Sequence, residues 1–154
     1  MITGKEKLKL QSDHSRLGIA RAAWEVALEK AQADPVVKIR HAVVDGDTQY
    51  RTHVAAISDR VGCHFHAHGD EGYAVVRGQG TLYWGKAERT DEGYSVPHPE
   101  TPVSVREGDS FTIPEGYAHQ LKNDGEGDLI IVFGCPDTHL DDKADRTLLP
   151  ALAP

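Results

Sequence analysis

The chain has 154 residues with 39% hydrophobic content and a formal charge of −7, enough for one domain with a buried core. The acidic balance argues against nucleic acid or an anionic membrane surface as partner. No apolar run approaches a membrane span, and the N-terminus M-I-T-G-K-E-K-L-K-L lacks the apolar stretch of a signal peptide. The reading is a cytoplasmic protein. Cys63 and Cys135 are too sparse for a disulfide scaffold and are read as reduced, buried thiols.

In chain order, residues 1–14 are polar without a clear period and are read as an arm or edge strand. Arg16–Ala33 reads as a helix of about 27 Å. Leu17, Ala20, Trp24, Ala27, Leu28 and Ala31 form its apolar stripe, Asp13 or Ser15 can cap it, and Asp34-Pro35 ends it. Residues 1–36 are therefore an N-terminal arm and helix. Short apolar runs follow, which predict strands over 37–44, 49–57, 63–68, 73–77, 80–84, 101–105, 109–113, 118–122 and 129–134. Turn signals such as Gly78-Gln79-Gly80 and Pro114-Glu115-Gly116 separate them. Many short strands at near-regular spacing predict an all-β antiparallel barrel or sandwich over 37–135. The charged, proline-containing stretch 85–102 is a long connection with room for its own hairpin. The tail, 136–154, is placed across the barrel or a neighbouring subunit.

Two segments carry chemistry. The first runs from Cys63 to Gly78 and contains His64, His66, His68 and Glu71. Strand alternation puts the three histidines on one face, with Cys63, Phe65 and Ala67 on the other. Three imidazoles on one buried face are costly unless something uses their nitrogens, and a divalent metal does. Tyr73, two residues after Glu71, faces the same interior. The second segment runs from Gly108 to Asn123. There a strand enters the Pro114-Glu115-Gly116 turn and His119 returns on the next strand.

These segments resemble the two motifs of the cupin superfamily. His64-x-His66-x₄-Glu71-x₆-Gly78 matches the first, with Ser58 where its leading glycine would stand. Gly108-x₅-Pro114-x-Gly116-x₂-His119-x₃-Asn123 matches the second. The resemblance implies a double-stranded β-helix, or jelly-roll, barrel. It also implies a mononuclear metal held by His64, His66, Glu71 and His119. Three nitrogens and one oxygen suit iron, manganese, nickel or cobalt, with zinc less well served. Glu71, Tyr73 and His68 are the candidate catalytic residues; His68 joins the metal, binds substrate or sits at the rim.

Arg51 and His53 share a strand face that points either inward, toward an anionic substrate, or outward. Tyr83 is read as lining the pocket, with Trp84 outside or under the long connection. Gln120 and Lys122 are read as solvated. His98 and His139 lie near the opening and are read as surface histidines.

The functional expectation is a metal-dependent cupin enzyme of dioxygenase, isomerase or lyase type acting on a small polar molecule. The alternative is a non-catalytic binding or sensing module. A homodimer is expected, formed over an open sheet edge.

Overall fold

The computed structural model of the protein describes residues 17–47 and 49–154. The expected arm at 1–14 and the helix caps lie outside the described residues. Helix α1 spans Leu17–Leu28 and is followed by β1 (Gln32–Asp34), β2 (Ile39–Asp47), β3 (Tyr50–Ile57) and β4 (His64–Phe65). The central strands are β5 (Glu71–Arg77), β6 (Gln79–Lys86), β7 (Glu88–Thr90), β8 (Gly93–Ser95) and β9 (Val103–Arg106). Then come β10 (Ser110–Ile113), β11 (Tyr117–Asn123), β12 (Leu129–Cys135), a 3₁₀ turn at Asp137–Leu140, and β13 (Thr147–Leu148).

The strands form two antiparallel sheets packed face to face. One has six strands in the order β1-β2-β3-β12-β5-β10, the other five in the order β13-β4-β11-β6-β9. The β7–β8 hairpin stands apart inside the long connection. Among the described residues no helix is long and apolar enough to cross a membrane.

Alternation explains the three layers of core. Ala55, Ile57, Val75, Ile131 and Phe133 of the six-stranded sheet meet Leu82, Trp84, Val103 and Leu121 of the other between the sheets. The residues between them in sequence, including Val54, Ala56, Val76, Ile130 and Val132, point to the outer face of the six-stranded sheet and pack against Trp24 of α1. That is why β3 and β12 are apolar on both faces. The Arg77 guanidinium lies 5.2 Å from the Trp24 ring and closes this layer from the solvent side. A third cluster, Cys63, Phe65 and Ala118, lies outside the five-stranded sheet under Val96, Leu149 and Leu152. Both cysteines are free and buried, and burial pushes the Cys63 thiol up to about 11.

The helix is shorter than the periodicity predicts. It stops at Leu28, and Gln32–Asp34 instead pairs with β2 as an edge strand. Two three-residue bonds, Lys30 N–H to the Ala27 carbonyl and Ala31 N–H to the Leu28 carbonyl, tighten the exit. The Pro35 turn then brings Val37 into the core, where the Gly62 N–H meets its carbonyl at 2.8 Å.

Trp84 also differs from expectation. It is 1% exposed and sits with Leu82 between the sheets, its indole N–H reaching the Thr101 carbonyl at 3.3 Å. Tyr83 is thereby on the outward side of β6. Gln120 is buried too. Its amide donates to the Val61 carbonyl at 2.8 Å and its oxygen accepts the Leu152 and Ala153 N–H groups at 2.9 Å each. A side chain with solvated composition is thus the tether of the C-terminal tail. The segment lies along the sheet it caps, with Leu149 N–H on the Cys63 carbonyl and β13 paired to β4.

Candidate metal centre

The site forms at one end of the space between the sheets. His64 on β4 and His119 on β11 are direct cross-strand partners, with ring centroids 4.5 Å apart. His66 follows β4, and its carbonyl accepts the Gly116 N–H at 2.7 Å. Gly116 has φ of +79°, which the Pro114–Gly116 turn needs and a side chain would resist. The two motif loops are laced further: the Gly69 N–H reaches Glu115 Oε2 and the Glu115 N–H reaches Asp70 Oδ1, both at 2.9 Å. Asn123 fixes the far end of β11, its amide donating to the Ile57, Ser58 and Gly127 carbonyls.

The ring orientations carry the chemistry. Nδ1–H of His64 donates to the Gly62 carbonyl at 2.7 Å, that of His66 to the Asp145 carbonyl at 2.7 Å, and that of His119 to the Tyr117 carbonyl at 3.1 Å. In a neutral ring, each of these bonds leaves the lone pair on Nε2. The coordinating nitrogens of the three residues lie within 4.8 Å of one another. Nε2 of His66 and of His119 are buried and have no hydrogen-bond partner. Orphaned lone pairs on histidines oriented by backbone carbonyls are what a metal site requires. Burial, with the neighbouring His66 charge, holds His64 down to about 4; burial and His64 hold His119 well below the usual histidine range. Both rings are therefore neutral, the form that binds a metal.

Glu71 and Tyr73 reach the same interior from alternate positions of β5. Glu71 Oε1 accepts the Tyr73 hydroxyl, and Oε2 lies 2.8 Å from His139 Nδ1 and 3.0 Å from His66 Nε2. The last distance is short, yet the carboxylate lies off the direction in which the His66 nitrogen points. Burial opposes the charge on Glu71, but the His139 and His66 contacts outweigh it and hold the carboxyl well below its usual range. Burial, then the Glu71 charge, pushes the Tyr73 phenol up. Glu71 belongs to a second donor set, His66–Glu71–His139, which shares His66 with the first.

His68 is a correction. The strand ends at Phe65, so alternation no longer governs residue 68, and the His68 side chain is exposed. The Asp145 carboxylate bends the chain there by taking the Ala67 and His68 N–H groups at 2.7 and 2.9 Å. Only the His68 backbone enters the site, its carbonyl accepting His139 Nε2–H at 2.6 Å.

His139 is the residue that sequence reasoning missed. It is 1% exposed, stacks on the His66 ring at 3.9 Å, and sits in the 3₁₀ turn after β12. Burial lowers its pKa, but the hydrogen bonds to Glu71 and His68 raise it further than that. Arg146 is also new to the site. Its buried guanidinium joins Asp142 at 2.7 Å and Asp34 at 2.8 Å, pinning the tail to β1. The signal for both was the Pro136–Arg146 run, whose alternating charges find partners within the fold. His53 faces inward, stacked on Phe133 at 4.9 Å, while Arg51 pairs with Asp137 at 3.0 Å. His98 is exposed and takes no part.

These groups line a cavity of about 30 Å³ whose remaining walls are apolar, including Val37, Leu82, Leu121, Ile131 and Phe133. That volume accommodates an ion with one or two small ligand groups, since a single water needs roughly 10–15 Å³. Three imidazoles with adjacent carboxylate and phenol groups fit a divalent transition metal.

Residues 35–147 match the family model described as the polysaccharide biosynthesis C-terminal domain. The chain belongs to this family. Solved structures similar to this domain include the oxalate decarboxylase of Lactobacillus farciminis in its formate complex. That match has a TM-score of 0.57 and 14% identity, over 77% of this chain and 33% of the other. The Bacillus subtilis oxalate decarboxylase at pH 4.6 aligns with a TM-score of 0.52 and 13% identity, over 71% of this chain and 28% of the other. At these identities the likeness establishes a cupin fold. The domain spans about a third of the length of those enzymes. No curated protein sequence matches it.

Proposed function

We propose that the domain is a metal-dependent cupin enzyme acting on a small oxygen-rich molecule, with dioxygenase, isomerase or lyase chemistry. The observation that carries this reading is the set of three histidines whose Nδ1 atoms are tied to backbone carbonyls while their Nε2 atoms converge, two of them buried without a partner. A bound metal ion would take up these nitrogens, which otherwise stay buried at a cost. His64, His66 and His119 would hold the ion, with Glu71 beside it, and the ion would supply Lewis acidity to a bound oxygen group. Tyr73 and Glu71 share a hydrogen bond at the cavity wall and are the groups placed to hold a proton near that oxygen.

Two further points support a small, oxygen-rich substrate. The cavity leaves room beside an ion for one or two small ligand groups, such as a carboxylate or hydroxyl end of a substrate, and the family description concerns polysaccharide biosynthesis. Its apolar walls exclude water and strengthen the few polar contacts.

The test is reconstitution of chelator-treated protein with iron, manganese, nickel, cobalt or zinc separately. Each form is assayed for dioxygen uptake, carbon dioxide release from small acids, and isomerisation of sugar derivatives. Turnover by one metal form, lost in His119→Ala, supports the proposal. Binding of small acids or sugars without turnover by any metal form would place the domain among binding or sensing modules. We further propose a homodimer, in which the exposed apolar side chains Val26 and Val43 become covered.

A further inference from the structure

We propose that three histidines alone hold the metal ion, and that His139 is a positioning residue that keeps Glu71 beside the ion and off it. This rests on the metal-centre reading above and departs from the four-ligand set that the resemblance implies. The first observation is distance. The ligand atoms of His64, His66 and His119 lie within 4.8 Å of one another, and among the described residues Glu71 does not join that set. It groups instead with His66 and His139. Donors on an octahedral ion with bonds of about 2.1 Å are about 3 Å apart when adjacent and about 4.2 Å when opposite. A carboxylate that comes near His66 but not near all three histidines stands outside the shell they define. The second observation is occupancy. Glu71 Oε1 accepts the Tyr73 hydroxyl, and Oε2 accepts from His139 Nδ1 at 2.8 Å, so both oxygens are already engaged.

His139 is built to hold a neighbour and not a metal. Its Nε2–H donates to the His68 carbonyl at 2.6 Å and its Nδ1–H to Glu71, so both nitrogens are spent on acceptors and neither offers a lone pair. The ring lies flat on His66, with centroids 3.9 Å apart and planes within 3°. The segment that carries it is fixed in turn. The Asp145 carboxylate takes the Ala67 and His68 N–H groups, and Arg146 joins Asp142 and Asp34. On the other side, the Tyr73 ring is stacked on Phe111 and Phe133 at 5.2 and 5.9 Å. Glu71 is therefore gripped at each oxygen by a side chain that is itself packed in place. An octahedral ion with three protein ligands keeps three positions open, one more than with four. Glu71 and Tyr73 then face a substrate bound at those positions, and Glu71 serves the substrate instead of the shell.

The visible spectrum of cobalt(II) reports the ligand set without any assay of turnover. Cobalt is titrated into chelator-treated full-length protein and its variants, and far-ultraviolet circular dichroism of each metal-free variant checks the fold. Glu71→Gln should leave the spectrum as in the wild type. His119→Gln removes a ligand, so the spectrum should change and binding should weaken about tenfold or more, since even partners outside the shell cost that much. His139→Leu lets go of Glu71, which can then swing onto the ion, so its spectrum should change. Adding Glu71→Gln to His139→Leu should return the wild-type spectrum, which a merely structural role for His139 would not produce. His139→Gln keeps a donor for Glu71 and should retain the wild-type spectrum. A changed spectrum in folded Glu71→Gln would make Glu71 a ligand and overturn the proposal. A wild-type spectrum in His139→Leu, or a changed one that Glu71→Gln does not reverse, would overturn the positioning role. Failure of the wild-type protein to bind cobalt at all would instead overturn the metal-centre reading, and this inference with it.

Discussion

Gln120→Leu should cost the domain about 3 kcal/mol. The side chain is 2% exposed and makes three hydrogen bonds, one to the Val61 carbonyl and two from the Leu152 and Ala153 N–H groups. Each is worth about 1 kcal/mol net, and backbone groups left buried and unpaired add about 1–3 kcal/mol apiece where water cannot reach them. Leucine keeps the volume, so the loss reports the hydrogen bonds and not a cavity. For a domain of this size the change lowers Tm by roughly 6–12 °C. Urea denaturation gives the free energy directly, and the m-value tells whether the tail has detached in the native state. Hydrogen exchange at Leu152 and Ala153 locates the effect. A loss below about 1 kcal/mol with unchanged exchange at those amides would refute the tether.

Three further outcomes follow from the same geometry. Trp24→Ala removes the side chain that joins α1 to the outer face of the six-stranded sheet and should cost about 3–5 kcal/mol, read by urea denaturation; a cost below 1 kcal/mol would show that the helix does not depend on it. Metal-free protein should lose stability on acidification. His64, held down to about 4, stays neutral while the unfolded chain takes a proton near 6.5, so the loss begins below pH 6.5 and reaches about 2 kcal/mol by pH 5. His119 acts in the same direction, whereas the contribution of His139, whose value is raised, is already complete below 6.5 and does not offset the fall. Urea midpoints that stay flat from pH 7 to 5 would contradict this. Arg146→Met should release the exit segment from Asp34 and Asp142, and limited proteolysis should then cut between residues 137 and 146; equal resistance in both proteins would show the lock is dispensable.

The legible parts of this molecule are those set by local pattern. Strand alternation placed Glu71 and Tyr73 together on the inner face of β5, and the Pro114–Gly116 turn brought His119 back opposite His64. Alternation also misled at His68, because the strand ends at Phe65 and Asp145, distant in sequence, bends the chain just beyond it. The helix was drawn too long because Ala31 continues the apolar stripe, while pairing with β2 takes Gln32–Asp34 into the sheet. Gln120 and His139 read as surface residues since their composition is polar and their partners, the tail amides and Glu71, lie 32 to 68 residues away. Long-range partners of polar side chains leave no periodic trace in a sequence.

Metal content is the most direct test of the account. Chelator-treated protein, reconstituted with a divalent transition metal and freed of excess, is analysed for bound metal beside His66→Ala. The account predicts close to one ion per chain in the wild type and none in the variant; with free metal then added back to a hundredfold over Kd, Tm of the wild type should rise, by about 2.7 kcal/mol of added stability. Wild-type protein that retains no metal after reconstitution, with Tm unmoved, would contradict it.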